Sequence, residues 1–101
     1  MPVTVTVTTV STRPNADVAF WTFDEATRAH LTAEFRDTGK LLSRADDLSA
    51  DGLTKTVVRT FADPAALDAY RIDASRTAAS ESQRAYNTLH GHVTTATIAV
   101  V

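Results

Sequence analysis

Valine and threonine alternate at the start of the chain, with Val3, Val5 and Val7 on one face of any strand and Thr4, Thr6 and Thr8 on the other. β-Branched residues at period two suit a pleated sheet and lose side-chain freedom in a helix. We therefore expect a strand over Pro2–Thr12, with a bulge where the phase slips at Thr9-Val10. Such a strand has one apolar face and one threonine face, so the valines require a covering layer.

The remaining elements follow from local chemistry. Arg13-Pro14-Asn15-Ala16-Asp17 reads as a loop, followed by the aromatic group Phe20, Trp21 and Phe23. Thr22-Phe23-Asp24-Glu25 has the form of a capping box, and Leu31 and Phe35 lie four apart. Gly39 supplies a stop, so helix one is expected at 23–38. A weakly patterned strand covers Lys40–Asp47, Asp51-Gly52 marks a turn, and Leu53–Phe61 is β-rich. Asp63-Pro64 opens a second helical region. Leu67, Tyr70, Ala74, Ala78, Ser82, Ala85 and Leu89 suggest its buried stripe, carried by one helix or by two broken near Ile72-Asp73. Gly91 ends it, and His92–Val101 forms the last strand. The order β-α-β-β-α-β predicts one α+β domain over 1–101. Its expected form is a ferredoxin-like sandwich, a four-stranded antiparallel sheet with two helices on one face.

Composition removes several chemistries. Ten Lys and Arg against twelve Asp and Glu give a net charge of −2, which argues against a nucleic-acid partner. The absence of cysteine excludes thiol nucleophiles, zinc ribbons and iron–sulfur clusters, and three glycines are too few for a phosphate-cradling loop. No stretch reaches the roughly 20 apolar residues of a membrane span. The N-terminus lacks the form of a secretory signal. The expected setting is the cytoplasm or a virus particle.

The sheet face away from the helices is the distinctive surface. Thr4, Thr6 and Thr8 on the first strand and Thr95 and Thr97 on the last would meet there, with Ala96, Ile98 and Val100 turned inward. Leu53, Val57 and Phe61 share one side of the third strand with Lys55 and Arg59, while Val58 lies among threonines, so either side could meet the helices. A flat, half-apolar threonine face suits a second sheet, making self-association through these threonines the expected partnership.

Asp51-Gly52-Leu53-Thr54-Lys55-Thr56-Val57-Val58, followed by Phe61-Ala62-Asp63-Pro64-Ala65-Ala66-Leu67-Asp68-Ala69-Tyr70, resembles the dimeric α+β barrel superfamily. More narrowly it is similar to antibiotic-biosynthesis-monooxygenase-type domains. The resemblance implies the fold and its pairing into a dimeric barrel; the superfamily includes quinone-forming oxygenases, isomerases and haem-degrading enzymes. The haem-degrading branch uses an Asn on the first strand, a Trp and an iron-ligating His. Trp21, His90 and His92 do not match those positions, so no cofactor is implied. In style, the threonine/valine strands and alanine-rich helices are also similar to small structural proteins of tailed bacteriophages.

No nucleophile, base and orienting group converge in the sequence. His90-Gly91-His92 straddles a helix stop, as expected of cations near a helix dipole and not of a metal pair. Asp46, Asp47 and Asp51 lack the closing Glu of a calcium loop, and Trp21 with its neighbours reads as a hydrophobic staple. Arg13, Arg28, Arg36, Arg44, Arg59, Arg71, Arg76 and Arg84 are spread among acids, which predicts a solvated surface or assembly rim. The first expectation is thus a non-catalytic, self-associating structural protein with no catalytic, metal or cofactor residues, set in a bacteriophage virion with other virion proteins as partners. The second is a cofactor-independent monooxygenase or isomerase acting on an apolar ring compound through His30, Tyr70, Tyr86 and His92.

Overall fold

The computed structural model describes residues 4–100. The elements are β1 (Val5–Thr12), α1 (Glu25–Leu31) prolonged by a π-helical turn (Thr32–Arg36), β2 (Leu41–Leu48), β3 (Thr54–Phe61), α2 (Pro64–Ile72), α3 (Ala74–His90) and β4 (Val93–Val100). The strand positions expected at Pro2, Val3 and Val101 lie outside the described residues. The sheet order is β2-β3-β1-β4, with every pair antiparallel. This is the expected ferredoxin-like α+β arrangement. No helix among the described residues is long and apolar enough to cross a membrane.

Register settles the face that the sequence left open on β3. Val5 pairs with Phe61 and with Val100, and Thr9 with Val57 and with Ala96, so these residues share one side of the sheet. Val5 and Phe61, each 1% exposed, are the most deeply buried side chains. They pack with Leu31, Phe35, Leu41, Ala66, Leu67 and Tyr70. Phe35 and Phe61 meet Tyr70 at ring distances of 5.1 and 5.2 Å, the first edge to face, which adds directional energy to area burial. The opposite face carries Thr6, Thr8, Thr12, Thr54, Thr56, Thr60, Thr95 and Thr97 around Val10 and Val58. Thr4 immediately precedes β1.

Three local expectations are corrected. β1 runs unbroken against both neighbours, so there is no bulge at Thr9-Val10; the irregularity lies in β2, between Leu41 and Ser43. An edge strand loses one ladder by bulging, whereas a central strand loses two. The cap of α1 is Asp24, not Thr22: the Asp24 carboxylate accepts from the Thr27 amide at 2.7 Å. A carboxylate is at least as good a cap as a hydroxyl, and it suits the positive end of the helix dipole.

The third correction concerns the stripe. Beyond Tyr70 it fails, with Ala74, Ala78, Ser82 and Ala85 exposed and Leu89 78% exposed. The chain breaks at Asp73, which stops α2 and caps α3 by accepting from the Arg76 amide at 3.0 Å. The break resets the helical phase. α3 turns Arg76, Ser80, Gln83 and Asn87 inward, a polar row at steps of four, three and four.

Candidate active site

A helix that turns a polar row toward a sheet does not close down on it. Between α3 and the sheet lies a cavity of about 960 Å³. On the sheet side it is floored by Thr9 and Ser11 of β1, Lys55, Val57 and Arg59 of β3, and Arg44 and Asp46 of β2. Register explains this grouping, since Arg44 pairs with Arg59, Asp46 with Val57, and Thr9 with Val57.

The segment between β1 and α1 forms an aromatic wall of Phe20, Trp21 and Phe23. Arg13 anchors it: its guanidinium donates to the Gly52 carbonyl at 2.9 Å and to the Val18 carbonyl at 3.1 Å, and lies 4.5 Å from the centre of the Phe20 ring. The Tyr86 hydroxyl donates to the Ala19 carbonyl, tying the same segment to α3. A connection of this length without secondary structure of its own commonly serves a binding site. The expected staple is accordingly also a cavity wall, with Trp21 and Phe23 5.1 Å apart edge to face.

Of the four ionisable residues expected of an enzyme, two line the cavity. Tyr70 sits where cavity and core meet, with the Arg76 guanidinium 5.5 Å from its ring centre. His92 is 7% exposed and packs edge-on against Phe20 and Tyr86. Burial, then His90 and Arg13, hold its imidazole below the usual histidine range, so it is neutral at pH 7. Its Nε2 is buried without a hydrogen-bond partner among the described residues. An unmet buried polar atom costs about 1–3 kcal/mol, and such atoms concentrate at sites that receive something else.

The other two lie off the cavity. His30 Nε2 is 2.9 Å from Asp73 Oδ2, linking α1 to the α2–α3 corner; the bond to Asp73 raises the His30 pKa. Tyr86 supports the site through its hydroxyl, and its ring packs tilted against His90 at 4.4 Å between centres. The arginines are not spread as expected. Arg28, Arg44, Arg59, Arg76 and Arg84 all line the cavity. Asp46 holds Arg44 in a two-pronged pair at 2.9 and 3.1 Å, and that bond keeps the Asp46 carboxyl below its ordinary range. Sequence reasoning missed this cluster because its members come from separate elements. The signals available were Lys55 and Arg59 on the Val57 side of β3, and the polar row of α3.

Comparison with solved structures identifies the architecture. Over the whole of both chains it superposes with a TM-score of 0.66, at 9% identity, on a conserved Bacteroides thetaiotaomicron protein described as a candidate oxidoreductase. SnoaB, a cofactor-independent oxygenase from Streptomyces nogalater, matches at 15% identity and a TM-score of 0.62, over 97% of this chain and 90% of that one. A candidate antibiotic biosynthesis monooxygenase from Caulobacter crescentus matches at 15% identity and 0.63, over 97% and 88%. The chain has the antibiotic-biosynthesis-monooxygenase-type fold. No protein-family model and no curated protein sequence matches it.

The monooxygenase-type fold corrects the expectation of a non-catalytic virion component. These neighbours are described as oxygenase, monooxygenase and oxidoreductase proteins, not as parts of a phage particle. The physical reason for the misreading is the cavity. Its lining comes from all four strands, three helices and a loop, so no contiguous motif announced it.

Proposed function

We propose that the protein is a cofactor-independent monooxygenase, or an isomerase using the same first step, acting on a ring compound held in the cavity. The observation that carries this reading is the neutral, buried His92 in a cavity faced by aromatic rings, within a fold shared with SnoaB. In the first step the His92 imidazole takes a proton from a ring carbon beside a carbonyl, leaving an enolate. In the oxygenase that enolate is the reductant: ring CH₂ and O₂ become ring C=O and H₂O, with one oxygen atom in each product. In the isomerase the proton returns to another carbon of the same ring. The aromatic wall would shield a bound ring from water on one side, which strengthens charge interactions there.

Oxygen uptake and quinone absorbance with an anthrone, with no flavin, metal or nicotinamide added, test the reading. Expected is uptake of one O₂ per quinone formed, lost in His92→Gln. Proton exchange at the ring CH₂ without oxygen uptake selects the isomerase. Neither turnover nor exchange with any ring ketone overturns both.

We further propose that the protein works as a homodimer paired through the threonine face. What supports this is the half-apolar composition of that face, together with β4 as an edge strand. Val93–Val100 has no charge, proline or bulge to discourage pairing.

A further inference from the structure

The charge of the cavity is opposite to that of the molecule. The chain has a net charge of −2, yet six of its ten Lys and Arg side chains line this one space, against one of its twelve Asp and Glu. Asp46 is shared between Arg44 and, at 3.9 Å, Lys55. Arg28, Arg59, Arg76 and Arg84 have no carboxylate within ion-pair distance among the described residues. Arg59 is half-buried beside Arg44 and Arg76, whose positive charges oppose its own.

Arg28, Arg44 and Arg84 are exposed, but holding the half-buried Arg59 and Arg76 close together is unfavourable unless an anion joins them. An aromatic wall stands over the same floor, with Trp21 and Phe23 available to a flat ring. Guanidinium forks match carboxylate geometry with two parallel hydrogen bonds, which a neutral amide cannot reproduce. We infer that the cavity selects an aromatic carboxylate, its ring against the Phe20–Phe23 wall and its carboxylate on Arg59 and Arg76. This rests on the cavity being the ligand site of the proposed enzyme and adds the chemical class of its substrate.

Trp21, the chain's single tryptophan, reports binding directly. Naphthalene-2-carboxylate and naphthalene-2-carboxamide are titrated against the intact protein while tryptophan fluorescence is followed, with sodium acetate and inorganic phosphate as competitors. Expected is about tenfold tighter binding of the carboxylate than of the carboxamide, as for one charge-assisted hydrogen bond gained. That preference should shrink at about 0.5 M salt. Arg76→Gln removes most of the preference, weakening the carboxylate far more than the carboxamide. Arg59→Met does the same, with circular dichroism confirming its fold. Equal affinity for acid and amide, a preference untouched in Arg76→Gln, or displacement by acetate or phosphate at the concentration of the naphthoate overturns the inference. Selective binding without turnover of any ring ketone retains it and overturns only the enzymatic reading. Turnover of neutral ring ketones with no charge preference does the reverse.

Discussion

At the scale of single residues, two histidines pull the pH dependence in opposite directions. Hydrogen bonding to Asp73 raises the His30 pKa, so its contribution to stability is full below about 6.5 and is lost as pH rises through the raised value. His92 is lowered by burial, so its contribution is full above about 6.5 and is lost as pH falls through the lowered value. Melting temperature measured from pH 5 to 8 should show both slopes. His30→Gln should flatten the alkaline side alone, and His92→Gln the acidic side alone. If His92 is the base, turnover stays on its plateau to a pH below 6.5, and His92→Gln lowers kcat by about 10²–10⁴. A variant that retains wild-type kcat assigns the proton transfer elsewhere. Truncating the core is expected to be severe: Phe61→Ala should cost about 3–5 kcal/mol in denaturant unfolding, because the Val5, Phe35 and Tyr70 side chains cannot fill the space it leaves.

At the scale of elements, α3 shows how far periodicity carries. The residues Leu31, Phe35, Leu67 and Tyr70 were legible as core because apolar spacing and burial coincide there. Along α3 they part company: the apolar row faces solvent and the polar row faces the sheet. An apolar stripe marks the inward face only where a helix covers a core, and α3 covers a cavity. The end of α3 was legible and has a mechanical role. Gly91 takes φ 73°, and its amide and that of His92 both bond the Asn87 carbonyl, which aims His92 into the site. A Cβ there would meet only Pro14, at an ordinary 3.8 Å, so the cost of Gly91→Ala is backbone strain. We expect a loss of about 1 kcal/mol in thermal or denaturant unfolding. A loss several times larger would mean that the fold around His92 had rearranged.

At the scale of the whole molecule, the sheet divides two jobs between its faces. One face holds the core and the cavity, while the other offers eight threonines and three valines, Val10, Val58 and Val93. The proposed homodimer predicts twice the chain mass by light scattering at micromolar concentration. Thr8→Asp with Thr97→Asp, paired side by side on that face, should give the monomer while keeping the far-ultraviolet spectrum. A wild-type monomer across that range removes the proposal.

The amino-acid sequence by itself determined the order of elements, the start of α2 and the end of β1, the two faces of the first strand and the sandwich they build. Each depends on neighbours within a few positions, on alternation, caps and glycine stops. The tertiary structure alone decided which side of β3 meets the helices, where the bulge falls, and that five arginines converge. Those outcomes depend on register between strands distant in sequence, and on the helical phase reset at Asp73. Arg44, Arg59 and Arg76 become neighbours only when β2, β3 and α3 are laid together, and no local pattern carries that information.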